Sequence, residues 1–199
     1  MTPDLVLAIA IDVGVKAAAL GLSLYPIARP GASHFAGKAM GFRAVAYPPF
    51  LVLIPIAWLL SGQPGPYPFL ADILLGIPFL VDAAGNVFGW FAIKRFDIIP
   101  HLTGWFCLSA AFGLAVAPLA GERWIAFGLV LGFGAVIDIA WEIGEFLLSR
   151  SGASGLQLTY ENTIQDLAMS LAGAAVGALA IATVLWPPGG TPAAPFGWA

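Results

Sequence analysis

Six apolar stretches, each about as long as a bilayer core is thick, leave this chain few ways to fold. They are placed at about residues 4–25, 41–60, 69–91, 98–119, 123–148 and 163–186. A helix needs roughly 20 apolar residues to cross the hydrocarbon, and open sheet edges are not viable there. The expected fold is all-α: a polytopic transmembrane helix bundle of about six spans, one domain over residues 1–186.

The breaks between stretches have physical causes. "YPIARPGASHFAGK" and "SGQPGPYP" hold Pro and Gly where no helix would continue. "KRFD" is a charged turn and "PLAGER" a short Gly turn. "SRSGASGLQLTYEN" is polar and small, and Asn162 or Thr163 is expected to cap the last helix. The Pro/Gly-rich tail, 187–199, is expected to be unstructured or at the surface. The first stretch has no basic n-region and is interrupted by Asp12 and Lys16, so it reads as a retained span. No internal repeat is evident.

Composition narrows the function classes. With 60% hydrophobic and 10% charged residues, against about 25% charged in soluble domains, a water-soluble enzyme is excluded. A net charge of −3 without a basic patch excludes a nucleic-acid partner. Cys107 is the single cysteine, so no intrachain disulfide forms, and an inert packed thiol is expected. The lipid bilayer is the one partner that composition implies; protein partners are unknown.

Lys and Arg set the expected orientation. Arg29, Lys38 and Arg43 flank the first loop, Lys94 and Arg95 lie in the third, and Arg150 in the fifth; the other side has Arg123. By the positive-inside rule the odd loops are cytoplasmic and both termini lie on the non-cytoplasmic side.

Against this apolar background the ionisable residues stand out. At 1.5 Å per residue, Asn86 and Asp82 lie about 7 and 13 Å from the cytoplasmic end of the third span, and His101 about 5 Å along the fourth, with Asp97 at its mouth. Glu145, Glu142 and Asp138 lie about 5, 9 and 15 Å along the fifth, and Asp166 and Ser170 about 5 and 10 Å along the sixth. Four helices thus bring polar groups to one layer. Asp82/Asn86, Asp97/His101 and Asp166/Ser170 are i,i+4 pairs, and Asp138, Glu142 and Glu145 fall at i, i+4, i+7. Such stripes should face inward, because a charge at mid-membrane costs about 2.5–3.5 kcal/mol on insertion scales. Gln165 adjoins the stripe of the sixth span. Gly128, Gly132 and Gly134, and the small-xxx-small pair Gly173 and Gly177, are expected to let helices approach closely.

"PFLVDAAGN", "FDIIPH", "WEIGEF" and "NTIQDLAMSLAGAAVG" resemble the motifs of the VanZ-like membrane proteins, especially their YjdF-type inner-membrane branch. The resemblance covers about residues 75–180. It implies a multi-pass inner-membrane fold with an inward-facing polar site, an association with glycopeptide-antibiotic resistance in one branch, and no settled activity. The last helix departs from the family pattern at Ser170, where relatives more often carry Asn.

The catalytic candidates are His101, Asp97, Glu142, Glu145 and Asp166, with Asp82, Asn86, Asp138, Gln165 and Ser170 completing the polar cluster. His101, Glu142 and Asp166 are the candidate ligands if a divalent metal binds, with Zn or Mn suited to mixed N/O donors. Without a metal, His101 and Asp97 could act as a general acid–base pair. The functional expectation is a membrane-embedded enzyme acting on a lipid or lipid-linked substrate from the cytoplasmic side. The alternatives are a scaffold or accessory subunit whose network fixes helix packing, and a proton- or cation-coupled transporter. The nearly featureless outer half of the third to sixth spans speaks against the transporter.

Outside the cluster, ordinary readings are preferred. Asp12 and Lys16 form an internal ion pair, and Asp72 is a solvated carboxylate at a helix N-terminus. His34 lies in a surface loop, and Arg150, Tyr160 and Glu161 in a solvated one. Trp90, Trp105 and Trp124 belong to an aromatic belt, and Trp141 is a packing residue.

Overall fold

The computed structural model describes residues 2–29, 32, 35–36, 38–62, 65–153 and 158–185. His34 and the tail 187–199 lie outside the described residues. Within them the chain is all-helical, and six helical segments are long and apolar enough to cross a membrane. Leu7, Val45, Leu60, Leu119, Val136 and Val184 are each more than half exposed. Apolar surface on that scale suits lipid, not water. The chain is a multi-pass membrane protein.

Helix α1 (Pro3–Ala28) starts where Thr2 accepts a hydrogen bond from the Leu5 amide at 3.4 Å, with Pro3 in the first turn. Its buried residues, Asp12, Ala19, Ser23 and Pro26, form one narrow stripe. The second span is not one helix: α2 (Met40–Leu51) gives way at Val52 to α3 (Leu53–Leu60). Pro48 and Pro49 near the end of α2, and Pro55 in α3, remove backbone donors on either side of this break.

Helix α4 (Phe69–Val87) ends four residues before the expected Phe91. Gly89 sits at φ 75°, a left-handed conformation that stops the helix, and a 3₁₀ turn follows over Trp90–Ala92. That turn brings the Phe91 ring over Gly85, where an added Cβ would lie 2.6 Å from Cε2 of the ring. Helix α5 (Ile98–Ala120) stops at Gly121, φ 72°, and α6 (Arg123–Arg150) follows at once. Helix α7 (Tyr160–Val184) begins earlier than expected. Thr159, not Asn162 or Thr163, is the cap: its hydroxyl accepts from the Asn162 amide at 3.1 Å. Asn162 is thereby drawn into the first turn, and its side chain is free to bond elsewhere.

Helix α1 packs on α2 and α4, α4 on α5, and α5 on both α6 and α7. The closest approach explains the site. A Cβ on Gly173 would lie 2.1 Å from the Leu102 carbonyl oxygen, and one on Gly177 would lie 3.0 Å from that of Phe106. The small-xxx-small stripe of α7 therefore receives the backbone of α5 from Leu102, next to His101, to Phe106. Gly134 likewise admits Ala174 and Ser109. Gly128 and Gly132 do not serve this purpose, since nothing lies within 4 Å of a Cβ placed there. Being six and two residues before Gly134, they fall on other faces of α6.

Candidate functional site

The polar residues meet at one end of the bundle, around His101. The ring's Nδ1 lies 3.0 Å from the Ser170 hydroxyl on α7. Its Nε2 faces two carboxylates, Asp166 Oδ1 at 3.8 Å and Asp97 Oδ1 at 3.9 Å. Asp97 precedes the first turn of α5 and is held through its other oxygen, which accepts from Asn162 Nδ2 at 3.2 Å. Asp138 and Glu142 approach from α6. Two groups could each hold a metal ion, Asp97/His101/Asp166 and His101/Asp138/Glu142, each with one ligand atom per residue, all within 4.8 Å of one another.

These acids are buried, as are Asp12 and Asp72 at the opposite end, which likewise keep one oxygen without a hydrogen-bond partner. Asp138 and Asp166 are 2% exposed and Glu142 8%. One oxygen of each, Asp138 Oδ1, Glu142 Oε1 and Asp166 Oδ1, is buried without a hydrogen-bond partner. Buried polar atoms are nearly always paired, because leaving one unmade costs about 1–3 kcal/mol. Three orphaned carboxylate oxygens around one imidazole mark a place where a proton or a cation belongs.

A second set of bonds adjoins the first. Asp82 on α4 accepts from Arg43 Nε at 2.8 Å and from the Tyr47 hydroxyl. Asn86 donates to its backbone carbonyl at 2.9 Å and to its other carboxylate oxygen at 3.3 Å. Arg43 also donates to the Lys38 carbonyl. Asp82 is thus fully satisfied, unlike the acids around His101. Arg43 and Tyr47 make the second span part of the site, which sequence reasoning missed. Their i,i+4 spacing was the available signal, hidden because Arg43 serves equally well as a loop-flanking charge.

Asp97, His101 and the second set line a cavity of about 360 Å³, whereas Asp138, Glu142, Asp166 and Ser170 are not among its lining residues. Lys38, Arg43, Asp82, Asp97, His101 and Glu145 line its polar end. Phe50, Leu53, Leu75, Phe79, Leu108 and Phe133 line an apolar extension. Trp141 and Trp105 complete the wall. Trp105 is therefore not a belt residue: it is buried at 5% exposure, whereas Trp90 and Trp124 are exposed. Gln165 lines neither the cavity nor either three-residue group, because it lies one residue, about 100° of helix, from Asp166. Arg150, Tyr160 and Glu161 are exposed. Cys107 is buried and unpaired.

The opposite end corrects one expectation. Asp72 is not a solvated carboxylate; at 1% exposure it pairs with Lys16 and accepts a hydrogen bond from Tyr67. Lys16 also bonds Asp12 at 3.0 Å, as the i,i+4 spacing predicts. The half of the third span far from the His101 cluster is accordingly not featureless. Helix α1 brings Lys16 to Asp72, and the lysine offsets the charge that burial would otherwise expose to hydrocarbon.

Comparison of the chain with protein-family models, with curated proteins and with solved structures yields no match.

Proposed function

We propose that the protein is a membrane-embedded enzyme acting on a lipid or lipid-linked substrate, with its site in the cytoplasmic half of the inner membrane. The observation that carries this reading is the cavity: its polar end holds His101, Asp97 and Glu145, and its apolar extension has the chemistry of a hydrocarbon chain. Ligand sites are mostly apolar concavities with a few convergent polar groups, and this one meets that description. The odd loops carry the basic residues, which supports a cytoplasmic position for this end. Membership of the VanZ-like family, in its YjdF-type branch, is part of the proposal and rests on the motifs around Asp82, His101, Glu142 and Asp166.

The chemistry that the residues support is hydrolysis or transfer at an ester or phosphate. The oxygen of water, or of an acceptor hydroxyl, bonds to the carbonyl carbon or phosphorus as the lipid alkoxide departs. A carboxylate or His101 takes the nucleophile's proton and returns it to the leaving oxygen. The scaffold reading draws on the saturated partners of Asp82, but leaves the orphaned oxygens near His101 without a purpose.

The test is turnover. Purified protein in nanodiscs made from the host's own lipid extract is incubated, and the lipids are analysed by mass spectrometry. Wild type should release a cleaved or transferred product, and His101→Ala should slow that release by about 10²–10⁴-fold, the usual worth of general acid–base catalysis. Unchanged lipids with wild type, or equal rates in the variant, would remove the enzyme reading.

A further inference from the structure

A gap that is too long for a hydrogen bond and well sized for a shared ion separates His101 from two carboxylates. Asp166 Oδ1 and Asp97 Oδ1 lie 3.8 and 3.9 Å from Nε2. Hydrogen bonds of this kind are about 2.7–3.2 Å long, so neither acid is bonded to the ring there. Two ligands held at about 2.0–2.2 Å by one tetrahedral ion stand about 3.3–3.6 Å apart, whereas neighbouring ligands of a magnesium-sized octahedral ion stand about 3.0 Å apart. The observed 3.8 and 3.9 Å exceed the tetrahedral value by a few tenths of an ångström and the octahedral one by nearly an ångström, so a small inward movement of the carboxylates would close a tetrahedral site.

The rest of the arrangement agrees. Ser170 holds the ring at Nδ1, and when Nδ1–H donates to that hydroxyl, Nε2 presents its lone pair to the gap. Asn162 holds Asp97 by Oδ2 and leaves Oδ1 pointing at the same spot. Asp166 is 2% exposed, and the oxygen that faces Nε2 is the one buried without a partner. A buried carboxylate oxygen aimed at an imidazole lone pair repels it unless something positive lies between.

We infer that His101 Nε2, Asp97 Oδ1 and Asp166 Oδ1 are three ligands of a zinc-class divalent ion, with the fourth position open toward the cavity that Asp97 and His101 line. The inference deepens the proposed function and rests on its placement of the site. It also assigns the outer shell, Ser170 and Asn162, and leaves Glu142 outside the ligand set. Three protein ligands with an open fourth position are the pattern of a catalytic, not a structural, zinc site. An ion there would lower the pKa of a bound water and polarise an ester or phosphoryl oxygen in the cavity.

The experiment reads the metal directly. The full-length protein in detergent is stripped with chelator and titrated with Zn²⁺ against a competing chelator, and bound metal is measured by elemental analysis. One zinc per chain is expected in wild type. Asp166→Asn and His101→Ala should weaken binding by more than the about 10–100-fold that outer-shell changes cost, while Glu142→Gln should keep it. Equal loss in Glu142→Gln would place the ion in the His101/Asp138/Glu142 group and overturn the assignment. Co²⁺ substitution of wild type guards against variants that fail to fold. An intense four-coordinate visible spectrum is expected, and a weak six-coordinate spectrum or less than stoichiometric binding would overturn the site. Zinc bound without lipid turnover leaves the site standing and removes the enzyme reading. Lipid turnover by zinc-free protein does the reverse.

Discussion

Ser170 and His101, sixty-nine residues apart, meet at 3.0 Å because α7 presents glycine where the backbone of α5 crosses it. This bond gives a role to Ser170, one turn beyond Asp166 on the same face of α7. A hydroxyl at Ser170 can hold the ring as an amide would, from a shorter side chain.

Ser170→Ala is expected to weaken zinc binding by about 10–100-fold while changing the melting temperature little, since it removes an orienting group rather than a ligand. Zinc titration beside thermal unfolding in detergent separates these effects. A variant that binds zinc as wild type does would show that the ring needs no such support.

Gly173→Ala should be among the most damaging small changes in the chain, because its Cβ would meet the Leu102 carbonyl oxygen at 2.1 Å. Backbone cannot move aside as a flexible side chain can, so a loss of at least ~1–3 kcal/mol is expected. Gly128→Ala, where nothing lies within 4 Å, should be neutral or stabilise by up to ~1 kcal/mol through helix propensity. Thermal unfolding of the two variants side by side checks the contrast.

The Arg43–Asp82 pair is expected to behave as buried ion pairs do. Arg43→Met alone should destabilise by ~3–5 kcal/mol, since Asp82 would then be left charged with Tyr47 and Asn86 as its remaining partners. The double change Arg43→Met/Asp82→Leu should recover most of that loss. A double-mutant cycle measured by unfolding reads the coupling, and additive losses would show that the two residues stabilise independently.

Tyr67, in the loop before α4, ties the opposite end. Burial and its hydrogen bond to Asp72 push the Tyr67 hydroxyl above its usual range. An acid raised in the folded chain keeps its proton while the unfolded chain loses it. This contribution to stability is therefore full below about pH 10 and declines as the pH rises beyond it. Tyr67→Phe should cost ~1 kcal/mol at neutral pH and show a shallower alkaline decline than wild type. Parallel alkaline declines would show that Tyr67 is not the group responsible.

The i,i+4 spacings show which residues share a helix face, and the 1.5 Å rise shows that those faces reach the same depth. Both survive in the structure: Asp97 stands beside His101, and Asp166 beside Ser170, at one end of the bundle. Span number could be read from the chain because bilayer thickness imposes a length that apolar runs must match. Partners could not, because nothing local distinguishes Asp82, satisfied by Arg43 and Tyr47 of another helix, from Asp166, left with an orphaned oxygen. Asp72 reads as a solvated end until α1 brings Lys16 to it. Which acids are paired, and which face the imidazole across an open gap, depends on helix rotation and contact order. Those are set by the packing of glycine against backbone across segments far apart in the chain, and tertiary structure alone decides them.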